Sequence, residues 1–202
     1  MVVAIDGPAG AGKSSVARAV ADRLGFTYLD SGAMYRSVGL AALERGVAPA
    51  AVAGEVRIDL GERVVLDGRD VTDVIRSPGV SEAASRAAAD PAVRAAMVKQ
   101  QRRLLADGDW VAEGRDIATV VAPDAEVKVY LVADPAVRTR RRQSERPDIG
   151  ADALATDLKL RDESDRVRMQ RAPDAEEIDT TQLAIEDVIA RIEDLVRVRS
   201  VV

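Results

Sequence analysis

Cysteine and histidine are both absent from this chain of 202 residues. Without cysteine there is no thiol nucleophile, no thiolate zinc site and no indication of an oxidising compartment. Without histidine the commonest general base is missing. Aromatic residues are scarce as well, with one tryptophan, three tyrosines and one phenylalanine. Stacking surfaces for nucleic-acid bases are therefore not indicated.

The chain also lacks long apolar runs and an excess of positive charge. Its formal net charge is −5, so neither nucleic acid nor a membrane surface is an expected partner. No run approaches the roughly 20 apolar residues of a membrane span. Asp6 interrupts the apolar start, so we expect no signal peptide. These features predict a cytoplasmic protein, and the lack of a surplus apolar stripe favours a monomer.

A glycine-rich stretch near the N-terminus is the most informative feature. Residues 7–14 read GPAGAGKS and match the phosphate-binding pattern G-x-x-x-x-G-K-[ST]. The apolar run at residues 2–5 predicts a buried strand before it, and Val16, Val20 and Leu24 have the spacing of a helix after it. Backbone amides in such a loop, and the positive end of the helix, bind phosphate.

This pattern predicts a site for a nucleoside triphosphate. Lys13 is expected to reach the β- and γ-phosphates, and the Ser14 hydroxyl is expected to ligate Mg²⁺. The alternative is a glycine-rich turn with a chance lysine, which the agreement of spacing and context disfavours. The predicted ATP-binding residues in this stretch are Gly7, Pro8, Ala9, Gly10, Ala11, Gly12, Lys13, Ser14 and Ser15.

The rest of the chain alternates between strand and helix patterns, which predicts an α/β fold with a parallel sheet flanked by helices. Further core strands are expected at 26–29, 110–113, 127–133 and 178–180. Helices are expected at 33–45, 81–89, 91–106, 152–171 and 183–197. Two short strands at 56–60 and 63–66 predict a small antiparallel unit inserted at 47–80.

Ligands of such sheets bind beyond the C-terminal ends of the strands. The turns after residues 6, 29 and 113 are therefore expected to converge on one crevice. Arg36 and Arg115 follow two of these strands, and guanidinium groups suit phosphate oxygens. Arg161, Asp165 and Arg168 have the spacing of one helix face. These arginines indicate a second anion, although a surface arginine at 36 and a solvated ion-pair face at 161–168 are the plain alternatives.

Several segments together resemble the bacterial cytidylate kinases over nearly the whole chain. They read IDGPAGAGKSS, LDSGAMYR, SEAASRAA with DPAVR, EGRDIATVVAPDAEVKVYL, LRDESDRVR and IDTT. The resemblance implies a P-loop NTPase-type sheet of five parallel strands in a single kinase domain. It also implies that 47–80 is a nucleoside-monophosphate-binding insertion and that 138–150 is a short arginine-rich lid over ATP, with Arg141 as an ATP-binding residue.

The resemblance also implies roles in binding the acceptor. Ser85, Arg94 and Asp116 match positions that read cytosine, and Arg36, Arg115 and Arg168 match arginines that hold the acceptor phosphate. Asp165 with Arg161 matches the pair that meets the sugar hydroxyls, while Ser31 and Tyr35 lie on the acceptor side. Lys13, Arg115 and Arg168 are then the expected catalytic residues. Glu113 stands where some relatives have aspartate, and Ser14 where some have glycine.

The implied activity is the transfer of a phosphoryl group from ATP, with Mg²⁺, to CMP or dCMP. Because the acceptor is already an anion, little proton abstraction is needed, and the absence of histidine is no obstacle. A kinase for UMP or a shikimate-like acceptor is one alternative. A non-catalytic nucleotide-binding module is another, but neither a guanine-reading N-K-x-D motif nor a D-x-x-G at a strand end near the loop is present.

Overall fold

A computed structural model of the protein describes residues 1–200. The strands are β1 (Val2–Asp6), β2 (Thr27–Asp30), β3 (Ile58–Leu60), β4 (Val64–Leu66), β5 (Arg69–Asp70), β6 (Trp110–Gly114), β7 (Val127–Val132) and β8 (Glu176–Asp179). The helices are α1 (Lys13–Leu24), α2 (Ser31–Arg45), α3 (Pro49–Val52), α4 (Pro78–Ala89), α5 (Pro91–Leu104), α6 (Pro135–Glu145), α7 (Ala151–Asp165) and α8 (Ile185–Ser200).

A parallel sheet of five strands in the order β2-β6-β1-β7-β8 is the main element of the fold, as predicted. β1 pairs with β6 on one side and with β7 on the other, so that Ile5 lies opposite both Glu113 and Val129. Val3, Ala4 and Ile5 are completely buried. A strand that is covered on both faces needs apolar residues at every position, which explains the unbroken apolar run before the glycine-rich loop.

The chain forms two compact units. The first contains Met1–Thr27 and Gly108–Val202, and the second contains Tyr28–Asp107. In the first unit, α1 begins after Gly12 and ends at Gly25, whose φ of 69° suits a glycine C-cap. α8 buries Val188, Ile189, Ile192 and Val196 at helical spacing, and it packs on α1 and β7.

The second unit contains the small antiparallel sheet that the sequence predicted. β4 lies between β3 and β5, with Asp59 opposite Val65 and Val65 opposite Asp70. The third strand was not predicted, because Arg69–Asp70 is two residues long and entirely polar. The four-residue helix α3 and a 3₁₀ turn at Val74–Arg76 were not predicted either.

Two helix predictions need correction. The prediction of a helix over 152–171 is wrong at its end, because α7 stops at Asp165 and a turn follows. The Tyr130 hydroxyl donates to the carbonyl of Met169 at 3.3 Å, and the chain turns back towards β8. Arg168 therefore lies in the turn and not on the helix.

α2 starts at Ser31, two residues before the predicted start, because Asp30 caps it by accepting from the Ala33 amide at 2.7 Å.

No helix in residues 1–200 combines the length and the apolar character that crossing a membrane requires.

Candidate active site

The glycine-rich loop joins β1 to α1 in a conformation that needs its glycines. Gly7 has φ of 147°, and a Cβ placed there would lie 2.2 Å from the carbonyl oxygen of Leu131 on β7. Gly12 caps α1 with φ of 95°, in the left-handed region. Only glycine adopts these angles without strain, and only glycine allows the close approach of the loop to β7.

The carbonyl groups of the loop are bonded to side chains of the first unit. Arg115 Nη1 donates to Gly7 O at 3.1 Å, Lys13 Nζ to Pro8 O at 2.9 Å, Arg138 Nη1 to Ala9 O at 3.2 Å, Arg141 Nη1 to Gly10 O at 3.4 Å and Thr180 Oγ1 to Ala11 O at 3.0 Å. Every carbonyl in this run is therefore occupied by a donor. This arrangement favours an anion at the amide side of the loop, together with the N-terminus of α1.

Lys13 is the cationic residue of the glycine-rich stretch itself, and it is 6% exposed. The pKa of Lys13 is lowered to about 7, chiefly by burial and to a smaller extent by the nearby charge of Arg115. The carboxylates of Glu113, Asp6 and Asp165 act in the opposite direction. A phosphate group brought next to this ammonium would supply the negative charge that favours its protonated form.

Ser14, the predicted magnesium ligand, is exposed at the first turn of α1. Its hydroxyl donates to Glu113 Oε1 at 2.5 Å, and Glu113 is 5% exposed at the end of β6. A hydroxyl and a carboxylate are oxygen ligands of the kind that Mg²⁺ prefers, so these residues fit the ion. In the described part of the chain, no group of three or more acidic side chains is placed to hold a metal without further ligands.

Asp6, at the end of β1, was not predicted as a site residue. It is 2% exposed, and its two oxygens accept from the amides of Ile117 at 2.9 Å and Ala118 at 2.8 Å. The pKa of Asp6 is raised to about 6, chiefly by burial and to a smaller extent by the neighbouring Asp116, while the two amides oppose the shift. The turns after β1 and β6 are thus in direct contact, as the sequence predicted. The convergence of the turn after β2 on the same place stays a prediction.

Arg115 and Arg168 share one carboxylate. Arg115 Nε donates to Asp165 Oδ2 at 2.9 Å, and Arg168 Nη2 bonds to Asp165 Oδ1. The prediction that Asp165 and Arg168 lie near each other is confirmed, but the reason is the turn after α7 and not a shared helix face. Two guanidinium groups on one carboxylate form a compact positive site that can accept a further anion.

Arg161, the third residue of the predicted trio, has a different partner. Its Nε lies 3.1 Å from Asp157 Oδ2, one turn earlier on α7. This is the half-exposed i,i+4 pair that the plain interpretation of the spacing describes. A role for Arg161 with Asp165 at the sugar hydroxyls stays a prediction.

The second unit carries the predicted residues that follow β2. Ser31 is buried at the start of α2, and Tyr35 is half-buried one turn later. Arg36 Nη2 donates to Asp30 Oδ2 at 3.0 Å, so the capping carboxylate offsets the cost of an arginine near a helix N-terminus. Arg36 Nε is buried without a hydrogen-bond partner among residues 1–200.

The three predicted base-reading residues lie on separate elements. In the second unit, Ser85 is half-buried on α4 and donates to Ser81 O at 3.1 Å, and Arg94 is half-buried on α5. In the first unit, Asp116 is 8% exposed between β6 and a π-helical turn at Ile117–Val121. That turn was not predicted from the sequence.

A cavity of about 330 Å³ opens beside the loop in the first unit. Gly12, Ser15, Arg141 and Thr180 supply polar groups to its wall, and Leu183 and Val188 supply apolar ones. Both its size and its mixed lining suit a small ligand with polar and apolar parts. Ser15 and Arg141, two predicted ATP-binding residues, are thereby brought to one place.

The sequence did not indicate three buried side chains at this edge of the sheet: Arg138 and Thr180, which bond to the loop, and Asp6, which bonds to the segment after β6. Arg138 was included only as part of the arginine-rich segment, although it is 8% exposed and pairs with Asp162 at 2.7 Å. Thr180 is 3% exposed at the end of β8. For Asp6 and Thr180 the available signal was their position at a strand end, because that edge of the sheet carries the loop, whereas Arg138 lies within α6.

Comparison with known proteins decides the family. The family model described as cytidylate kinase matches residues 3–198. The chain belongs to the cytidylate kinase family. Among the curated relatives, the cytidylate kinase of Solibacter usitatus is 46% identical, with 98% of this chain and 93% of the relative covered. That of Fervidobacterium nodosum is 44% identical, with 98% and 96% covered.

Solved structures show the same fold at low sequence identity. A gluconokinase from Sinorhizobium meliloti has a TM-score of 0.52 and 15% identity, covering 98% of this chain and 93% of its own. A shikimate kinase from Bacteroides thetaiotaomicron has a TM-score of 0.51 and 16% identity, with 98% of both chains covered. These likenesses support the predicted P-loop kinase fold, and they carry no information on the acceptor of this chain.

Proposed function

We propose that this chain, as a member of the cytidylate kinase family, transfers the γ-phosphoryl group of ATP to CMP and dCMP. The observation that carries the proposal is the family match over residues 3–198, combined with a phosphate loop whose carbonyls are all bonded to side chains. Kinases for UMP or a shikimate-like acceptor, and a non-catalytic module, are not favoured by that match.

The donor binds at the glycine-rich loop of the first unit. The triphosphate lies against the loop amides and the N-terminus of α1, where Lys13 meets the β- and γ-phosphates. The adenine base occupies the cavity of about 330 Å³, between Arg141 and the apolar side chains Leu183 and Val188. The arginine-rich segment 138–150, most of which forms the end of α6 and the connection to α7, acts as the lid over ATP.

The acceptor is held by groups from several elements. Arg115 and Arg168, which share Asp165, bind its phosphate together with Arg36. Ser85, Arg94 and Asp116 read the cytosine ring, and Arg161 with Asp165 meets the sugar. Ser31 and Tyr35 complete the acceptor side. The carboxylate of Asp116 can accept from the exocyclic amine of cytosine, which uracil lacks, and this difference would give the preference for CMP.

Catalysis on this arrangement consists of positioning and charge neutralisation. An oxygen of the acceptor phosphate attacks the γ-phosphorus, the bond to the β,γ-bridging oxygen breaks, and ADP leaves with that oxygen. Lys13, Arg115 and Arg168 stabilise the charge on the transferring group. Ser14, with Glu113 beside it, would hold the Mg²⁺ that accompanies ATP, and this ion would neutralise phosphate charge. The acceptor oxygen is already ionised, so no general base is required.

The test is a coupled assay of ADP formation with purified protein, ATP and Mg²⁺. CMP and dCMP are expected to be phosphorylated, with a kcat/KM at least about a hundredfold above that of UMP, and shikimate is expected to be inert. In a parallel thermal-shift panel the preferred acceptor gives the largest increase in Tm, since stabilisation grows with the ratio of ligand concentration to Kd. Equal rates with CMP and UMP would reject the assignment of the acceptor.

A further inference from the structure

A buried carboxylate links the donor loop to the acceptor segment. Asp6 is the last residue of β1 and directly precedes Gly7, the first residue of the loop. Its side chain is not used in any step described above, and it is 2% exposed. Burying a carboxylate is costly, so its retention indicates a specific set of hydrogen bonds.

Those hydrogen bonds fix the start of the π-helical turn. The turn covers Ile117–Val121, and the first amides of any helical segment have no partner inside it. The side chain of Asp116, which precedes the turn, makes no capping bond to it. Asp6 takes this role from another strand, with one oxygen on each of the two amides, Ile117 and Ala118, at 2.9 Å and 2.8 Å.

A second contact fixes the same segment from its other end. Arg115 Nη1 donates to the carbonyl of Gly7 at 3.1 Å. The dipeptide Arg115-Asp116 therefore lies between two attachments to the adjacent residues Asp6 and Gly7. A shift of the segment away from the loop has to break both attachments.

We propose that Asp6 is a positioning residue for the acceptor, which holds Arg115 and Asp116 in register with the phosphate loop through the amides of Ile117 and Ala118. This inference rests on the proposed function, because Arg115 and Asp116 are assigned there to the acceptor phosphate and the cytosine ring. Asp6 itself touches neither substrate.

The charge of Asp6 is needed for this geometry. A carboxylate has an acceptor oxygen for each amide, whereas an asparagine has one oxygen and an NH₂ group that would face the second amide donor. The titratable groups near Asp6 are Lys13 from α1, Asp116 from the segment after β6 and the neutral Tyr130 from β7. Only Lys13 among them favours the carboxylate, so the two amides are its main support.

The experiment compares steady-state kinetics of the wild-type enzyme and the variant Asp6→Asn. The KM for CMP is expected to rise about tenfold or more, as for one lost hydrogen bond to a charged group. The preference for CMP over UMP is expected to fall, because Asp116 loses its fixed position. The KM for ATP is expected to change by less than about twofold.

The split between the two KM values separates positioning from a purely structural role. If both KM values rise in the same proportion, or if neither changes while Tm falls, the proposal is overturned. Should the wild-type enzyme fail to phosphorylate any nucleoside monophosphate, the proposed function is rejected instead, so the two failures are distinguishable.

A second variant and a control keep the test decisive. If Asp6→Asn does not fold, Asp6→Glu is measured in the same way, since it keeps the charge but displaces the carboxylate by one methylene group. The same selective rise in the KM for CMP supports the proposal, and equal rises overturn it. Glu126→Gln is the matched control: Glu126 accepts from the Val2 amide at 2.7 Å at the opposite end of β1, and this change is expected to leave both KM values unaltered.

Discussion

At the scale of single residues, the candidate site is built from charges that the fold has removed from water. Lys13 and Asp6 are both buried, and burial acts on them in opposite directions, with a pKa of about 7 for the lysine and about 6 for the aspartate. Each therefore changes its charge close to neutral pH. Glycine-rich loops of this pattern can be recognised from sequence, but these two shifts cannot, because they depend on what packs around the side chains.

Lys13 is expected to take up a proton when ATP binds. Its pKa is lowered in the folded chain, so between pH 7 and 10.5 the unfolded chain binds more protons than the folded one. The free energy of unfolding therefore rises as the pH increases from about 7 towards 10.5. The negative charge of a bound triphosphate favours the protonated lysine and so raises its pKa. At pH 8, ATP binding is therefore expected to take up close to one proton per site. Isothermal titration calorimetry in buffers of different ionisation enthalpy measures this uptake.

The control for this prediction is Lys13→Met, which keeps an apolar side chain of similar length. We expect this variant to take up no proton on binding ATP, and its turnover to fall about a hundred- to a thousandfold. Proton uptake that persists in Lys13→Met would assign the titrating group to another residue.

At the scale of elements, the ends of the strands tie the loop to its surroundings. Thr180, at the end of β8, donates to Ala11 O at 3.0 Å or to Val132 O at 3.1 Å and accepts from Arg141 Nη1 at 3.0 Å. A single buried hydroxyl thus connects the loop, β7 and α6. The sequence predicted the loop and β7 but gave 138–150 only as an arginine-rich lid, so neither the helix α6 nor the side chain that joins these elements was predicted.

Thr180→Val is expected to raise the KM for ATP about three- to tenfold and to leave the KM for CMP nearly unchanged. The substitution keeps the shape of the side chain but removes the hydroxyl, so that Arg141 loses a partner and Ala11 O loses a donor. Steady-state kinetics with each substrate varied in turn measures the effect. Thr180→Ser restores the hydroxyl and is expected to restore the KM for ATP, whereas a failure of this rescue would contradict the assignment.

At the scale of the whole molecule, most ion pairs among residues 1–200 have at least one exposed side chain, and few are buried. Arg63 with Asp70 is typical, with side-chain exposures of 74% and 45%. Arg138 with Asp162 differs, with 10% and 26%, and its arginine also donates to the loop carbonyl of Ala9. Exposed pairs contribute little to the free energy of unfolding because water screens them. Breaking a buried pair costs more, because it leaves a buried charge without its partner.

Arg138→Met is therefore expected to lower the free energy of unfolding by about 1–3 kcal/mol, less than for a completely buried pair because Asp162 keeps some contact with water. Urea denaturation monitored by circular dichroism measures the difference. Arg63→Met is the exposed counterpart, and no measurable change is expected for it. Equal losses in the two variants would show that burial does not set the strength of these pairs.

The fold was largely predictable because its signals are local. Apolar runs of strand length, the glycine at each end of α1 and the proline at the start of α5 are all visible in sequence. Prediction failed where a tertiary contact decided the outcome. α7 ends at Asp165 although the helical pattern continues, and a carbonyl beyond it is taken by Tyr130 of β7.

The sequence by itself determined the parallel sheet, the phosphate loop and the arginines available for anions, since each depends on residue types at short spacing. Only the tertiary structure decided that Asp6 holds the segment after β6, that Arg115 and Arg168 share Asp165, and that Thr180 joins the loop to Arg141. These contacts join residues far apart in the chain. Their geometry is set by how the strands are ordered in the sheet, which short-range patterns do not encode.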